Sequence, residues 1–477
     1  MPFNLRKSIF AAIFIALAIC SAALAQQGIH PADYYQTVFV SQTEISPDGQ
    51  YVAFTRTKID EENNSRHREV WLQKLKNGQP DGEPFRFTDP TVQSSSPRWS
   101  PDGTLLGIQS RRGDDDNSVR FLRVTAPGGE AFTIEGLDRQ PVWSPDGSRI
   151  AFTREPFTDE ELPERAGWIS PDAITVTLDS SRFDGRVITQ MRYKSDGRST
   201  WLPHPSINAK RQLFVISSEG GEPDQLTELD FNVNNIEWSA DGNRIYFSGD
   251  PMEDDEYNTD YTGNLYVMNL ETGEWKQLLE MDGTQSSPAV SPNGRFLAFT
   301  HTLERGSETD IYLARLDATG DITGTPQNLT GAWNRDPGGI TWSSNSNLIR
   351  FSAQINGNSH LFEVHRDQGS VTQVTLGDRR LSSFSFTENG SHMAYTATDA
   401  VTPAEVFVSR TGDGSNEVQL TNFNGEWLSE RTVNPAERIT WMVEDGTEIE
   451  GWVIKPVGYE EGTSYPIIMK IHGGPHS

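Results

Sequence analysis

Trp143-Ser144-Pro145-Asp146-Gly147, running on into Ser148-Arg149-Ile150-Ala151-Phe152-Thr153, is the stretch that decides the fold. Ser, Pro, Asp and Gly in that order suit a type I β-turn, because each side chain meets the need of its own position. The residues after it are apolar and β-prone, so the turn joins two antiparallel strands. The unit recurs at Ile45-Ser46-Pro47-Asp48-Gly49, Trp99-Ser100-Pro101-Asp102-Gly103, Trp238-Ser239-Ala240-Asp241-Gly242 and Val290-Ser291-Pro292-Asn293-Gly294. Two degraded copies follow at Trp342-Ser343-Ser344-Asn345-Ser346 and Phe386-Thr387-Glu388-Asn389-Gly390.

Each copy carries two further strands. A third strand reads Leu213-Phe214-Val215-Ile216, Leu265-Tyr266-Val267-Met268 or Val406-Phe407-Val408, and a short closing strand reads Gln225-Leu226-Thr227 or Gln419-Leu420-Thr421. Four strands at a period of roughly 45 to 50 residues is the pattern of a β-propeller blade, a sheet that buries its faces only by stacking on its neighbours. Seven copies predict an all-β, seven-bladed propeller over residues 26–421. The interval from Trp143 to Trp238 is long enough for two blades but holds one visible set of strands. Residues 155–205 therefore read as an insertion in blade three.

The first 25 residues read as an export signal. Arg6 and Lys7 are basic, Ile9 to Ile19 is a short apolar run, and Ala23-Leu24-Ala25 is a small-x-small cleavage site. The run is too short for a stable membrane span. These features predict an exported protein, periplasmic or secreted, with Gln26 as its new N-terminus. The single cysteine, Cys20, lies inside the signal, so disulfide and cysteine chemistry are excluded from the remainder. A formal charge of −27 argues against nucleic acid as a partner. No metal-ligand spacing, P-loop, dinucleotide fingerprint or G-x-S-x-G elbow occurs, so no cofactor and no metal are expected.

After Thr421 the repeat ceases, and 422–433 reads as a linker. Arg438-Ile439-Thr440-Trp441-Met442-Val443 and Ile449-Glu450-Gly451-Trp452-Val453-Ile454 predict a hairpin, and Tyr465 to Ile471 a further strand entering His472-Gly473-Gly474-Pro475. Propeller, hairpin and His-Gly-Gly-Pro in this order resemble the prolyl oligopeptidase family of serine peptidases, in particular its acylaminoacyl-peptidase and dipeptidyl-peptidase-V-like branch. The resemblance spans the whole chain after the signal. It implies that 434–477 begins an α/β-hydrolase domain, truncated here. It also implies acyl transfer from short peptides to a Ser, then to water, with the propeller restricting access. The backbone N–H of Gly474 would be an oxyanion donor, with Gly473 as second choice. Ser, Asp and His of the triad are expected beyond Ser477, which would leave the 477 residues inactive; His472 and His476 precede them and are not read as triad members. A non-enzymatic TolB-like propeller that binds protein partners is the alternative, because it shares the Ser-Pro-Asp-Gly repeats.

Overall fold

The computed structural model describes residues 27–112, 118–124, 130–156, 210–253, 260–304 and 306–471. The stretch read as an export signal, nearly all of the 155–205 segment read as an insertion and the His472–Ser477 end lie outside these residues.

The described strands between Phe39 and Gln419 fall into seven successive antiparallel groups, each following chain order from strand to strand. The fifth is typical, with Thr284–Val290, Phe296–Thr302, Thr309–Leu316 and Ile322–Asn328. The sixth and seventh groups touch through one parallel bridge, Ser359↔Arg380. Every turn motif joins a first strand to a second, as the sequence predicts. In each motif the hydroxyl at the second position does two jobs. Ser239 Oγ donates to Asp241 Oδ1 at 2.5 Å and accepts from Arg244 N at 2.9 Å, which closes the turn around a buried side chain. Gly242 then takes a φ of +72°, the left-handed region that glycine enters without steric cost. The degraded copy manages with Ser346 at φ +60°.

Strand burial explains the stacking. The second strands are buried on both faces, as in Phe296–Thr302 and Arg244–Gly249, because each sheet is covered on two sides. Most fourth strands are only two or three residues long and largely exposed, which blunts the outer edge; the fifth group's Ile322–Asn328 is longer. An aromatic pair crosses from the second to the third strand in five groups: Phe152–Phe214, Phe247–Tyr266, Phe299–Tyr312, Phe351–Phe362 and Tyr395–Phe407, each stacked at 5.3 to 6.1 Å. Such pairs add to area burial.

The core is a series of junction clusters. Phe247 and Tyr266 of the fourth group pack with Leu213 and Val215 of the third, and Leu297 and Phe299 of the fifth with Leu265 and Val267 of the fourth. The same holds at every junction, and the final cluster joins Val406, Val408 and Leu420 of the seventh group to Val40, Val52 and Phe54 of the first. The order thus returns on itself. Three of the four motif tryptophans pin their group to its predecessor: Trp99 Nε1 donates to Glu44 O at 3.1 Å, Trp238 Nε1 to Val142 O at 2.9 Å and Trp342 Nε1 to Ala289 O at 2.9 Å, while the Trp143 indole N–H is buried with no hydrogen-bond partner among the described residues.

Among the described residues, no strand crosses from the seventh group into the first. Asn424 joins them instead: its fully buried side chain accepts from Val38 N and donates to Val38 O, both at 2.9 Å, as a paired strand would. Asn424, within the stretch read as a linker, is therefore part of the seam. That stretch contains a one-turn helix, Gly425–Leu428, whose preceding Asn424 gives no side-chain cap because that side chain is committed to Val38.

Candidate functional site

The expected hairpin is present as Ala436–Met442 and Glu448–Ile454, with Trp441 opposite Ile449 and Arg438 opposite Trp452. It turns through Gly446, whose φ is +88°. Three contacts hold this end of the chain on one rim of the ring. Trp452 lies so close to Gly357, in the turn between the second and third strands of the sixth group, that no side chain fits there. Val457 packs on Gly28. Arg431 grips buried Asp33 with two bonds of 2.8 Å, from Nε and from Nη2. Those bonds, with a backbone N–H from His30, hold the Asp33 carboxyl down at about 2.

Gly473 and Gly474, with His472 and His476, lie outside the described residues. The strand expected at Tyr465 to Ile471 has no ladder partner, and Ile467, Ile468, Met469 and Ile471 are 88%, 97%, 77% and 82% exposed. The physical reason is plain: a strand is defined by its neighbour, and no described segment lies alongside this one. The apolar sequence marks a segment suited to burial and does not supply its partner.

No nucleophile–base–acid array is assembled among the described residues. Their histidines serve the scaffold, with His301 Nε2 on Asp282 O at 2.8 Å and His360 Nδ1 on Thr375 Oγ1 at 3.2 Å. His392 Nδ1 meets Ser391 Oγ at 2.8 Å, but the pair sits beside a Thr-Glu-Asn-Gly turn and has no orienting carboxylate. No group of three or more His, Cys, Asp or Glu suited to a metal ion occurs among the described residues.

A set of residues that the sequence reading overlooked lies on the inner wall, where first strands of neighbouring groups touch one another. Each of six first strands bulges at a residue of positive φ three positions before the first residue of its turn motif. These are Gln42, Ser96, Asn235, Ser287, Gly339 and Ser383. The fixed spacing was the available signal. One pair of them bridges groups, Gln42 Nε2 donating to Ser96 Oγ at 2.9 Å, and Gln140 Nε2, at the same offset in the third group, donates to Ser96 O at 3.2 Å. Two positions further on, Glu237 accepts from Val290 N at 3.3 Å and has no cationic partner among the described residues. It is half-buried by surface yet enclosed by protein, and this desolvation pushes its carboxyl up to about 7.

Comparison with known proteins fits this architecture. The TolB β-propeller domain family, PD40, matches residues 256–446. The uncharacterized peptidase YuxL of Bacillus subtilis is 27% identical over 471 residues, covering 93% of this chain and 66% of the relative. Dipeptidyl-peptidase 5 of Porphyromonas gingivalis is 26% identical over 487 residues, covering 99% and 68%. A solved acylaminoacyl peptidase, bound to Z-Gly-Gly-Phe-chloromethyl ketone, superposes with a TM-score of 0.63 at 16% identity, over 91% of this chain and 60% of that one. The chain thus spans about two thirds of the length of these curated relatives. Its homologues are peptidases, its β architecture is propeller-like, and it resembles the prolyl oligopeptidase family as its sequence indicates.

Proposed function

We propose that the chain is the propeller and the opening part of the catalytic domain of an exported serine peptidase that hydrolyses short peptides. The seven groups are the blades of one closed ring, and 434–477 begins an α/β-hydrolase unit seated on the rim where Trp452 meets Gly357. Gly474, with Gly473 second, places a backbone N–H at the developing oxyanion, where a preorganised donor lowers the barrier most. The ring limits access to the cavity beneath it. Residues 1–25 direct export and are removed. By themselves the 477 residues do not cleave peptides, since no nucleophile elbow occurs in them.

The carrying observation is the docked hairpin, followed by His472-Gly473-Gly474-Pro475, in a chain that aligns with peptidases over 93% and 99% of its length. A protein-binding propeller is the second reading, favoured by the TolB match. It does not account for the hairpin and its anchoring.

The test uses the protein extended through the region that follows in its relatives, assayed on dipeptidyl and N-acyl-aminoacyl chromogenic substrates. Turnover is expected, and Gly474→Pro, which removes the donor N–H, should lower kcat by about 10²–10³-fold with little change in KM. A soluble, folded protein that turns over neither substrate class would favour the binding reading.

A further inference from the structure

One slot on the inner wall breaks the pattern of polar residues. Where other first strands carry Gln42, Ser96, Asn235, Ser287 or Ser383, the sixth carries Gly338-Gly339. A Cβ on Gly339 would meet nothing within 4 Å. The missing side chains leave a cavity of about 430 Å³ between the sixth and seventh groups, a size that suits a small ligand. Its mouth includes Gln354 and Ser359, which flank the turn that Trp452 touches, so it opens on the hairpin's side of the ring.

The walls have a definite chemistry. Leu361, Leu381, Phe384 and Phe386 supply an apolar lining. Arg350, 6% exposed, enters from the second strand of the sixth group with its guanidinium 4.9 Å from the Phe386 ring centre. Its Nε donates to Glu363 Oε1 at 2.8 Å, and no acceptor among the described residues meets its Nη groups. Arg380, exposed at the rim, has no ion pair among the described residues. The one acid lining the cavity, Asp336, already accepts from Thr309 N at 2.7 Å. Two guanidiniums with open donor positions above an apolar lining match a carboxylate carried on a small apolar body.

We propose that this cavity binds the C-terminal carboxylate of a short peptide, with Arg380 at the rim holding the carboxylate, Arg350 adding positive charge from the wall beside Phe386, and the apolar residues holding the last side chain. That the carboxylate arrives on a peptide rests on the peptidase reading above; the anion-plus-apolar chemistry does not.

The probe is N-acetyl-alanyl-phenylalanine with a free carboxylate, compared by calorimetry with its C-terminal amide. Arg350 is a poor target, because its loss would strand buried Glu363. Arg380→Gln and Gly339→Asn serve instead; Asn235 takes a φ of +47° in the equivalent slot, so asparagine fits the backbone there and fills the mouth. The acid should bind, the amide and Arg380→Gln should each weaken binding about 10- to 100-fold, and Gly339→Asn should abolish it. Equal binding of acid and amide overturns the carboxylate assignment while leaving peptide binding in place. No binding of either, or full binding by Gly339→Asn, overturns the cavity itself. The peptidase reading stands or falls separately, on turnover by the extended protein.

Discussion

Asn424→Ala should open the ring at one place. The side chain is fully buried and makes four bonds: Val38 N and Trp427 Nε1 donate to its Oδ1, while its Nδ2 donates to Val38 O and Glu405 Oε1. Alanine leaves the Val38 N–H and C=O without partners in a site where Val38 is only 6% exposed. An unsatisfied buried polar group costs about 1–3 kcal/mol. Trp427 is only partly buried and can turn to water, and Glu405 keeps the Asn424 N–H and Thr421 Oγ1. Counting the two Val38 groups alone gives a loss of about 3 kcal/mol. Because no strand is exchanged between the first and seventh groups, that loss falls on the seam. Hydrogen exchange reads it locally. Amides of 38–45 and 405–424 should exchange about 100-fold faster, while those of 244–269, across the ring, keep their wild-type rates. Unchanged exchange at Val38, or an equal acceleration everywhere, would refute the side-chain seam.

Glu237→Gln should remove a pH dependence. Its folded value, near 7, lies above its ordinary 4.5, so the folded state holds the extra proton. Wild-type stability should fall as pH rises through that window, by at most about 3 kcal/mol and by less where water reaches the carboxyl, while the variant's urea midpoint changes little between pH 5 and 8. Asp33 runs the other way: its folded value is held at about 2, so hairpin anchoring is complete above about pH 4 and lost as pH falls toward 2. Tryptophan fluorescence during acid titration should report that release, and Arg431→Ala should show it already at neutral pH. Ser239→Ala removes both the acceptor for Arg244 N and the donor to Asp241 and should cost about 1–2 kcal/mol in urea unfolding; a change below about 0.3 kcal/mol would contradict its role in the turn.

The sequence made the repeats legible because Trp-Ser-Pro-Asp-Gly has a local cause, a turn whose hydroxyl, proline, carboxylate and glycine each do something within five residues. The hairpin around Gly446 was legible for the same reason. The seam was not, because Asn424 and Val38 meet only after the whole ring has been traversed and neither residue type announces a partner. Glu237 was equally silent: nothing in Asn235-Ile236-Glu237 says that the neighbouring group will enclose the carboxyl without a cation. The inner-wall bulges fall between these cases. Their three-residue offset from the first residue of each turn motif is in the sequence, but Gln, Ser, Asn and Gly at that offset share no single residue type, so composition hides them. The strand at Tyr465 to Ile471 was over-read, since its apolar pattern describes what it needs and not what lies beside it.

The proposed serine peptidase, with its oxyanion donor in His472-Gly473-Gly474-Pro475, can be tested at the nucleophile itself. The most direct measurement is labelling by a fluorophosphonate probe, which reacts with an activated serine, of the 477-residue chain and of the protein extended through the region that follows in its relatives. The account predicts labelling of the extended protein alone, slowed about 10²-fold or more by Gly474→Pro. Labelling of the 477-residue chain, or an extended and folded protein that does not label, would contradict it.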